Sequence, residues 1–229
     1  MHEFNTFVDY VTFIKQVEYA LAFGLMLAFV ALYKVARPMN PAKVVRAAVE
    51  RVKGIAMPAN VAFHPGHAWA RFVRQNVLVG ADDFARKLLG RVTQVVLPAE
   101  GTVLRKGARA FTLIVDGRRF DVRSPLDGTV VGVNALAAAD ADVFNNDPYQ
   151  AGWLLRVKPA DPADVRGTLF DGERAKQWMT RVMDEFFAAT HEMGMVAADG
   201  GEAVDGLAKA AGANDWEMIA RQFLDEDLV

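Results

Sequence analysis

Apolar and polar residues alternate differently in successive parts of the 229-residue chain, and the spacing divides it into four segments. Residues 1–38 are mostly apolar, and residues 39–61 combine an apolar stripe with basic residues. Residues 62–162 show short runs with a period of two, whereas residues 163–229 show a helical period. The pattern predicts a membrane helix with its lead-in, a basic amphipathic connector, a β domain and a C-terminal helical extension, in that order.

The first segment contains a run without charged residues at 19–33, inside a longer apolar stretch at 17–36. A helix of that length reaches about 30 Å, the thickness of the hydrocarbon core of a bilayer. Tyr19 and Tyr33 flank the run as interfacial aromatics do. The stretch predicts one transmembrane helix at residues 17–36, with a buried core helix as the alternative. A cleaved signal peptide is disfavoured because no basic segment precedes the run. Whether residues 1–16 join the helix stays open.

The charges on the two sides of this stretch predict its orientation. Lys15 is accompanied by three acidic residues on the N-terminal side, whereas basic residues predominate on the C-terminal side. The positive-inside rule then places the C-terminal side in the cytoplasm. We therefore expect a single-pass protein of the bacterial inner (cytoplasmic) membrane with its β domain on the cytoplasmic side. The basic residues that follow the uncharged run at 19–33 are Lys34, Arg37, Lys43, Arg46, Arg51 and Lys53.

Residues 41–57 have the pattern of a basic amphipathic helix. Asn40 is a favourable N-cap, and Pro41 suits the first helical position. Such a helix either lies on an anionic membrane surface or packs on the following domain. The apolar stripe consists of Val44, Val45, Ala48, Val49 and Val52.

Short apolar runs separated by turn residues fill residues 62–162. They predict a mainly β domain with one inserted helix, which begins after the capping residue Asp82 and ends at Gly90. The predicted strands cover residues 69–74, 76–80, 92–97, 111–115, 120–123, 129–133 and 153–157.

The strongest local signal is the dipeptide Asp116-Gly117. Residues 111–115 before it have high β-propensity, and Phe120 and Val122 alternate with polar residues after it. Asp-Gly between two such runs is typical of a two-residue hairpin turn, in which both positions need φ > 0. The sequence therefore predicts a β-hairpin with its tip at Asp116-Gly117.

The C-terminal segment predicts a helix at residues 173–190 and a second one at 215–224, before an acidic tail. The first helix has an aromatic and methionine-rich face, which we expect to bind a partner protein because large apolar surfaces mark interfaces. Packing on the chain's own β domain is the alternative. The expected partner-binding residues are Trp178, Met179, Met183, Phe186 and Phe187.

Composition excludes several kinds of site. The net charge of −2 gives no indication of nucleic-acid binding, and the absence of cysteine excludes disulfides, thiolate metal sites and Cys-ligated iron–sulfur clusters.

His64 and His67 are separated by a helix-breaking Pro-Gly pair, and the Asp- and Asn-rich residues 140–147 lack the pattern of a calcium loop. No nucleophile elbow, phosphate loop or dinucleotide fingerprint occurs. We expect a non-enzymatic chain without catalytic residues, metal or cofactor.

Several motifs in residues 62–162 occur in a recognisable order. They are Phe63-His64-Pro65-Gly66-His67-Ala68-Trp69-Ala70-Arg71, Val79-Gly80-Ala81-Asp82-Asp83-Phe84-Ala85, Ser124-Pro125-Leu126-Asp127-Gly128-Thr129, and the string from Asn146-Asp147-Pro148-Tyr149 to Lys158-Pro159. Together they resemble the glycine cleavage system H protein, a lipoyl carrier. The resemblance implies a mainly β, lipoyl-type barrel-sandwich hybrid with a short inserted helix.

The resemblance also implies a lipoyl-bearing lysine at the hairpin tip, and this chain departs from the family there. Counting back from Ser124-Pro125, the expected lipoyl position falls on Gly117. A guanidinium remains protonated and is no substitute for the attacking amine, so Arg118 cannot take the role. The nearest lysines, Lys106 and Lys158, match scaffold motifs of the family. We therefore expect no lipoyl group.

These observations favour a non-catalytic, membrane-anchored subunit that serves as a structural docking module. Its expected partners are the membrane, through residues 17–36, and other subunits of a bacterial respiratory or redox membrane complex. Two alternatives stay open. One is a lipoyl carrier, and the other is a regulatory protein of glycine cleavage or lipoate metabolism that engages lipoate-handling enzymes.

Overall fold

The computed structural model describes residues 2–36, 49–191, 205–212 and 214–224, and the chain divides into two compact units, residues 1–46 and 47–229. The first unit contains one continuous helix, α1 (His2–Ala36), so the residues before the predicted span belong to the same helix. Its segment Tyr10–Phe29 has a mean hydropathy of 1.3, and none of that segment is buried. By its length and composition alone, the helix is long and apolar enough to cross a membrane.

The second unit contains β-strands and helices around one hydrophobic core. Its strands are β1 (Val49–Val52), β2 (Ile55–Pro58), β3 (Ala62–Phe63), β4 (Ala68–Val73), β5 (Asn76–Ala81), β6 (Gln94–Val96), β7 (Val103–Leu104), β8 (Arg109–Val115), β9 (Arg118–Arg123), β10 (Gly128–Val133) and β11 (Leu155–Pro159). Its helices are α2 (Asp83–Leu89), α3 (Ala135–Ala139), α4 (Asp142–Asn146), α5 (Pro162–Thr168), α6 (Gly172–His191), α7 (Leu207–Ala211) and α8 (Trp216–Leu224).

The strands form three antiparallel sheets. One has the order β3-β4-β5-β11-β10-β7, the second has the order β6-β8-β9, and β1 pairs with β2 alone. Strand β11 shows how the sequence selects the faces, because Leu155 and Val157 are buried whereas Arg156 between them is exposed. The result is the expected mainly β sandwich, with the inserted helix α2 and with helices after the last strand.

Helix α2 begins and ends where the sequence predicts. The Asp82 side chain accepts a hydrogen bond from the Ala85 amide at 2.8 Å and caps the first turn. At the other end Gly90 has φ of +79°, and its amide donates to the Arg86 carbonyl at 2.9 Å. A residue with a positive φ ends a helix at low cost when it is glycine.

The described part of the connector differs from the predicted helix. Residues 37–48 lie outside the described residues, and the helix predicted for residues 49–57 is wrong because β1 and β2 form a hairpin there. Lys53 and Gly54 form the turn with φ of +48° and +85°, the left-handed geometry of a tight hairpin. Burial of Ile55 and Met57 in the core stabilises the strand form.

The aromatic face of α6 is buried inside the second unit. Trp178, Met179, Met183 and Phe186 are 0–3% exposed, and Phe187 is half-buried against the same core. The Trp178 ring lies 5.2 Å from that of His67, 5.6 Å from that of Phe170 and 6.3 Å from that of Phe63. This packing corrects the expectation of a partner-binding face, because the chain's own β domain already covers these side chains.

Candidate docking site at the central hairpin

The hairpin formed by β8 and β9 has the predicted two-residue tip. Val115 pairs with Arg118, so only Asp116 and Gly117 form the turn, with φ of +50° and +75°. Gly117 is exposed, and a Cβ atom added there would meet no atom within 4 Å. The turn therefore projects from the sheet as a compact tip.

The strands behind the tip are fixed by the core. Leu113 pairs with Phe120, and both are almost fully buried. On the opposite face the Thr112 hydroxyl donates to the Asp121 carboxylate at 2.5 Å. Cross-strand pairs of this kind hold the register of a hairpin, so the position of the tip is set by buried side chains.

Helices α7 and α8 pack beside this tip, and we call them together the helical cap. The Trp216 ring lies 5.4 Å from the Phe120 ring of the hairpin. The Nζ atom of Lys209 lies 2.6 Å from the Asp116 carboxylate, and Arg118 forms an ion pair with Glu217. The cap therefore contacts both residues that flank Gly117.

The cap also bonds to the backbone of the hairpin and to α2. Arg221 donates from its guanidinium to the Arg119 carbonyl at 3.0 Å and to the Glu217 carboxylate at 2.8 Å. Where the cap begins, the Gly206 amide donates to the Lys87 carbonyl at 2.7 Å. These bonds fix the cap between α2 and the outer strand of the hairpin.

The sequence did not identify the cap as part of the site. Lys209 and Asp116 are separated by 93 positions, and Glu217 and Arg118 by 99. The helical pattern at residues 215–224 predicts α8, but a periodic pattern does not state which surface its apolar face covers.

The tip offers no side-chain amine. Arg118 is held by Glu217, and the Lys209 nitrogen, which belongs to the cap, is held by Asp116. Lys106 lies in the turn before β8, where its amide donates to Asp127 at 2.8 Å, and Lys158 lies in β11. Neither lysine lies in the Asp116-Gly117 turn.

The two histidines near β4 have structural roles. His64 is buried, and its Nδ1 atom accepts a hydrogen bond from the Gly66 amide at 3.2 Å. Burial, together with the nearby charge of Lys106, lowers the pKa of His64 from 6.5 to about 4. The Nδ1 atom of His67 lies 3.0 Å from the Asp82 carboxylate that caps α2. Both rings therefore belong to the scaffold around β4 and α2.

The Asp- and Asn-rich segment 140–147 also has structural partners. Asn145 bonds to both the amide and the carbonyl of Val92, at 3.0 and 2.8 Å. Asp147 accepts from the amides of Tyr149 and Gln150 at 3.1 and 2.9 Å. Within the described ranges, no group of three or more His, Asp or Glu residues has an arrangement that could hold a metal ion.

Comparisons with known proteins match the β domain. The sequence model of the glycine cleavage H-protein family matches residues 61–182, more than half of the chain. The glycine cleavage system H protein of Bacteroides fragilis is 35% identical over 119 residues, which are 52% of this chain and 94% of that protein. The H protein of Myxococcus xanthus is 33% identical over 113 residues, which are 49% of this chain and 88% of that protein.

A solved structure gives a further match. The crystal structure of a glycine cleavage system H protein from Mycobacterium marinum covers 48% of this chain and 97% of its own, with 26% identity and a TM-score of 0.43. The helical cap begins after the matched residues end. The family match over residues 61–182 and the identity of the two bacterial relatives lead to one conclusion: this chain belongs to the glycine cleavage H-protein family.

Proposed function

We propose that this chain is a membrane-anchored, non-catalytic member of the H-protein family that acts as a docking subunit and carries no lipoyl group. The observation that carries the proposal is the tip of the central hairpin, a closed Asp116-Gly117 turn without a lysine. Family membership supports a relationship to lipoyl carriers. From the tip residues we infer that this member uses the shape of the domain without the prosthetic group.

The chemistry of attachment supports the absence of a lipoyl group. Joining a lipoyl carboxyl group to a protein requires a side-chain amine as the nucleophile, and glycine and aspartate have none. Arg118 stays protonated under ordinary conditions and is bound to Glu217. The turn between β8 and β9 has only two residues, so no further loop residue could take the place of Gly117.

The N-terminal helix supports membrane anchoring. Helix α1 contains the apolar segment Tyr10–Phe29, which is unburied and long enough to span a bilayer. Lys34 and the basic residues that follow it favour a cytoplasmic position for the β domain by the positive-inside rule. A lipoyl carrier that serves several separate enzymes benefits from free diffusion, whereas a docking subunit benefits from an anchor. The host that we propose is a bacterial respiratory or redox membrane complex.

A lipoyl carrier or a regulator of lipoate metabolism is the second candidate, and the extent of the family match favours it. The match covers 94% of the Bacteroides fragilis protein, so nearly the whole length of that protein has a counterpart in this chain. This candidate predicts binding to lipoate-handling or glycine-cleavage enzymes.

Purification of the full chain from native membranes separates the two candidates. We expect the affinity-tagged chain to fractionate with the membrane and to co-purify in fixed stoichiometry with integral membrane subunits. A matched variant with Leu21, Leu25 and Phe29 changed to Arg tests the anchor, because charges at the centre of a span oppose insertion. Recovery of a soluble chain, of a membrane-bound monomer without other subunits, or of the chain with lipoate-handling enzymes as its partners would overturn the docking-subunit proposal.

A further inference from the structure

We propose that the helical cap is a protein partner docked in cis, which occupies the hairpin face beside the Asp116-Gly117 turn and excludes other proteins from it. The inference goes beyond the proposed function, because it concerns access to the hairpin face and not the presence of a lipoyl group. It assigns a role to residues beyond the family match, which ends at residue 182.

The contact between cap and hairpin has the composition of a protein–protein interface. Its centre is apolar, since Phe120 is 1% exposed and Trp216 is 6% exposed, with their rings 5.4 Å apart. Ile219 and Phe223 of α8 are also buried. Aromatic anchors at the centre of a contact, surrounded by polar groups, are typical of stable interfaces between proteins.

The rim of the contact is ionic. Asp116 binds Lys209 on one side of Gly117, and Arg118 binds Glu217 on the other. These side chains are about one-third to two-thirds exposed, so each pair contributes little stability by itself. Charge pairs at a rim instead fix the register of two surfaces, which here means the position of the cap relative to the tip.

The cap is also attached away from the tip. The Gly206 amide donates to the Lys87 carbonyl, and Arg86 forms an ion pair with Asp205 at 3.0 Å. At the other end of the cap, the Phe223 ring lies 5.2 Å from the Phe186 ring of α6. The cap is therefore held by α2, α6 and the hairpin together, and its position beside the tip does not depend on one contact.

This arrangement makes access to the tip depend on size. Gly117 itself is exposed, so a small molecule reaches it freely. A protein that needs to hold the hairpin across Asp116, Arg118 and Phe120 meets the cap instead. The cap thus closes the hairpin to macromolecular partners while it leaves the turn open to solvent.

Thiol labelling of the full-length chain tests this prediction, because the chain contains no cysteine and a single introduced thiol is unique. We compare Gly117→Cys with Gly101→Cys, a matched control in another exposed turn with φ of +85° and no atom within 4 Å of an added Cβ. Each variant reacts with free maleimide and, separately, with a maleimide coupled to a small folded protein. The rate with the protein-coupled maleimide divided by the rate with free maleimide measures exclusion by size.

We expect this ratio to be about tenfold lower for Gly117→Cys than for Gly101→Cys, the factor that corresponds to roughly 1.4 kcal/mol. Adding Trp216→Ala, which removes the aromatic centre of the contact, should raise the ratio at position 117, whereas the control Lys176→Ala, which breaks an ion pair with Glu50 outside the cap and the hairpin, should not. Equal ratios at the two positions, or no effect of Trp216→Ala, would overturn the proposal.

Hydrogen exchange of the unlabelled chain gives a readout that needs no cysteine. The backbone amides of residues 115–120 should exchange faster when Trp216→Ala removes the aromatic contact of the cap, while those of β4 and β5 keep their protection. Unchanged exchange at residues 115–120 would show that the cap does not cover the hairpin.

Discussion

The buried His64 makes the stability of the β domain depend on pH. Burial favours the neutral ring, so the folded protein binds this proton only near its lowered pKa of about 4, whereas the unfolded chain binds it near 6.5. The unfolded state therefore holds more protons between these two pKa values. By linkage, the free energy of unfolding falls as the pH decreases from 6.5 toward 4 and is unaffected by this group at higher pH.

Unfolding measurements on a matched variant test this dependence. His64→Asn keeps a side-chain acceptor for the Gly66 amide but does not titrate. We expect the wild-type chain to lose roughly 2–3 kcal/mol more than this variant between about pH 7.5 and about pH 4.5. Urea unfolding of the detergent-solubilised chain, followed by tryptophan fluorescence, gives both values. Equal losses would mean that folding does not lower the pKa of His64.

Residues whose structure depends on near neighbours are predictable from the sequence. Asp116 and Gly117 adopt positive φ values because the turn between two β-prone runs requires them. Asp82 caps α2 by accepting a hydrogen bond from the amide of Ala85, three residues later. Lys209 and Glu217 differ, since their contacts with the hairpin depend on how the chain returns after about a hundred residues. No local signal carries that information.

At the scale of elements, helix α2 depends on the double role of Asp82. One carboxylate oxygen caps the helix through the Ala85 amide, and the other lies 3.0 Å from His67 Nδ1. Asp82→Ala removes both contacts in a fully buried position. Loss of the cap and of a buried hydrogen bond should together lower the free energy of unfolding by about 2–4 kcal/mol.

Urea unfolding of Asp82→Ala and Asp82→Asn measures this effect. The asparagine variant keeps an oxygen for the Ala85 amide and a polar group near His67, so we expect it to lose less than the alanine variant. If both variants unfolded at the wild-type urea concentration, the cap and the His67 contact would not contribute to stability.

The element that the sequence misassigned shows how tertiary contacts override a local pattern. Residues 49–57 fit a helical stripe, but Lys53-Gly54 is also a hairpin turn, and Ile55 and Met57 are separated by the period of a strand. Burial in the core and the bond from the Ala56 amide to the Asp83 carboxylate at 2.8 Å decide for the strand. Lysine at the first turn position, where asparagine, aspartate or glycine is preferred, made the hairpin signal weak.

Helix α6 illustrates a different limit. Its bounds, Gly172–His191, differ from the predicted 173–190 by one residue at each end. The periodic pattern also identifies the buried face. It does not distinguish a face covered by the chain itself from one covered by a partner, and here Phe63, His67 and Phe170 cover Trp178.

At the scale of the whole molecule, the chain combines an H-protein domain with two additions that relate differently to the function that we propose. The apolar helix α1 supports membrane attachment, and the helical cap covers one face of the hairpin that would carry a prosthetic group in a lipoyl carrier. In the function that we propose, α1 provides the anchor, whereas the cap limits which proteins reach the hairpin. We propose that the domain has kept the shape of a lipoyl carrier but holds no lipoyl group.

Intact-mass spectrometry of the full chain, purified from its native membrane under lipoate-replete conditions, shows whether the chain carries a lipoyl group. The glycine cleavage H protein of the same cells serves as the positive control, and peptide mapping covers every lysine, including Lys53 at the tip of the β1–β2 hairpin. We expect the chain to have its unmodified mass, and Gly117→Lys to remain unmodified as well, because the helical cap that binds Asp116 and Arg118 would keep a modifying enzyme from the tip. A lipoyl adduct on any lysine of the wild-type chain would contradict the account.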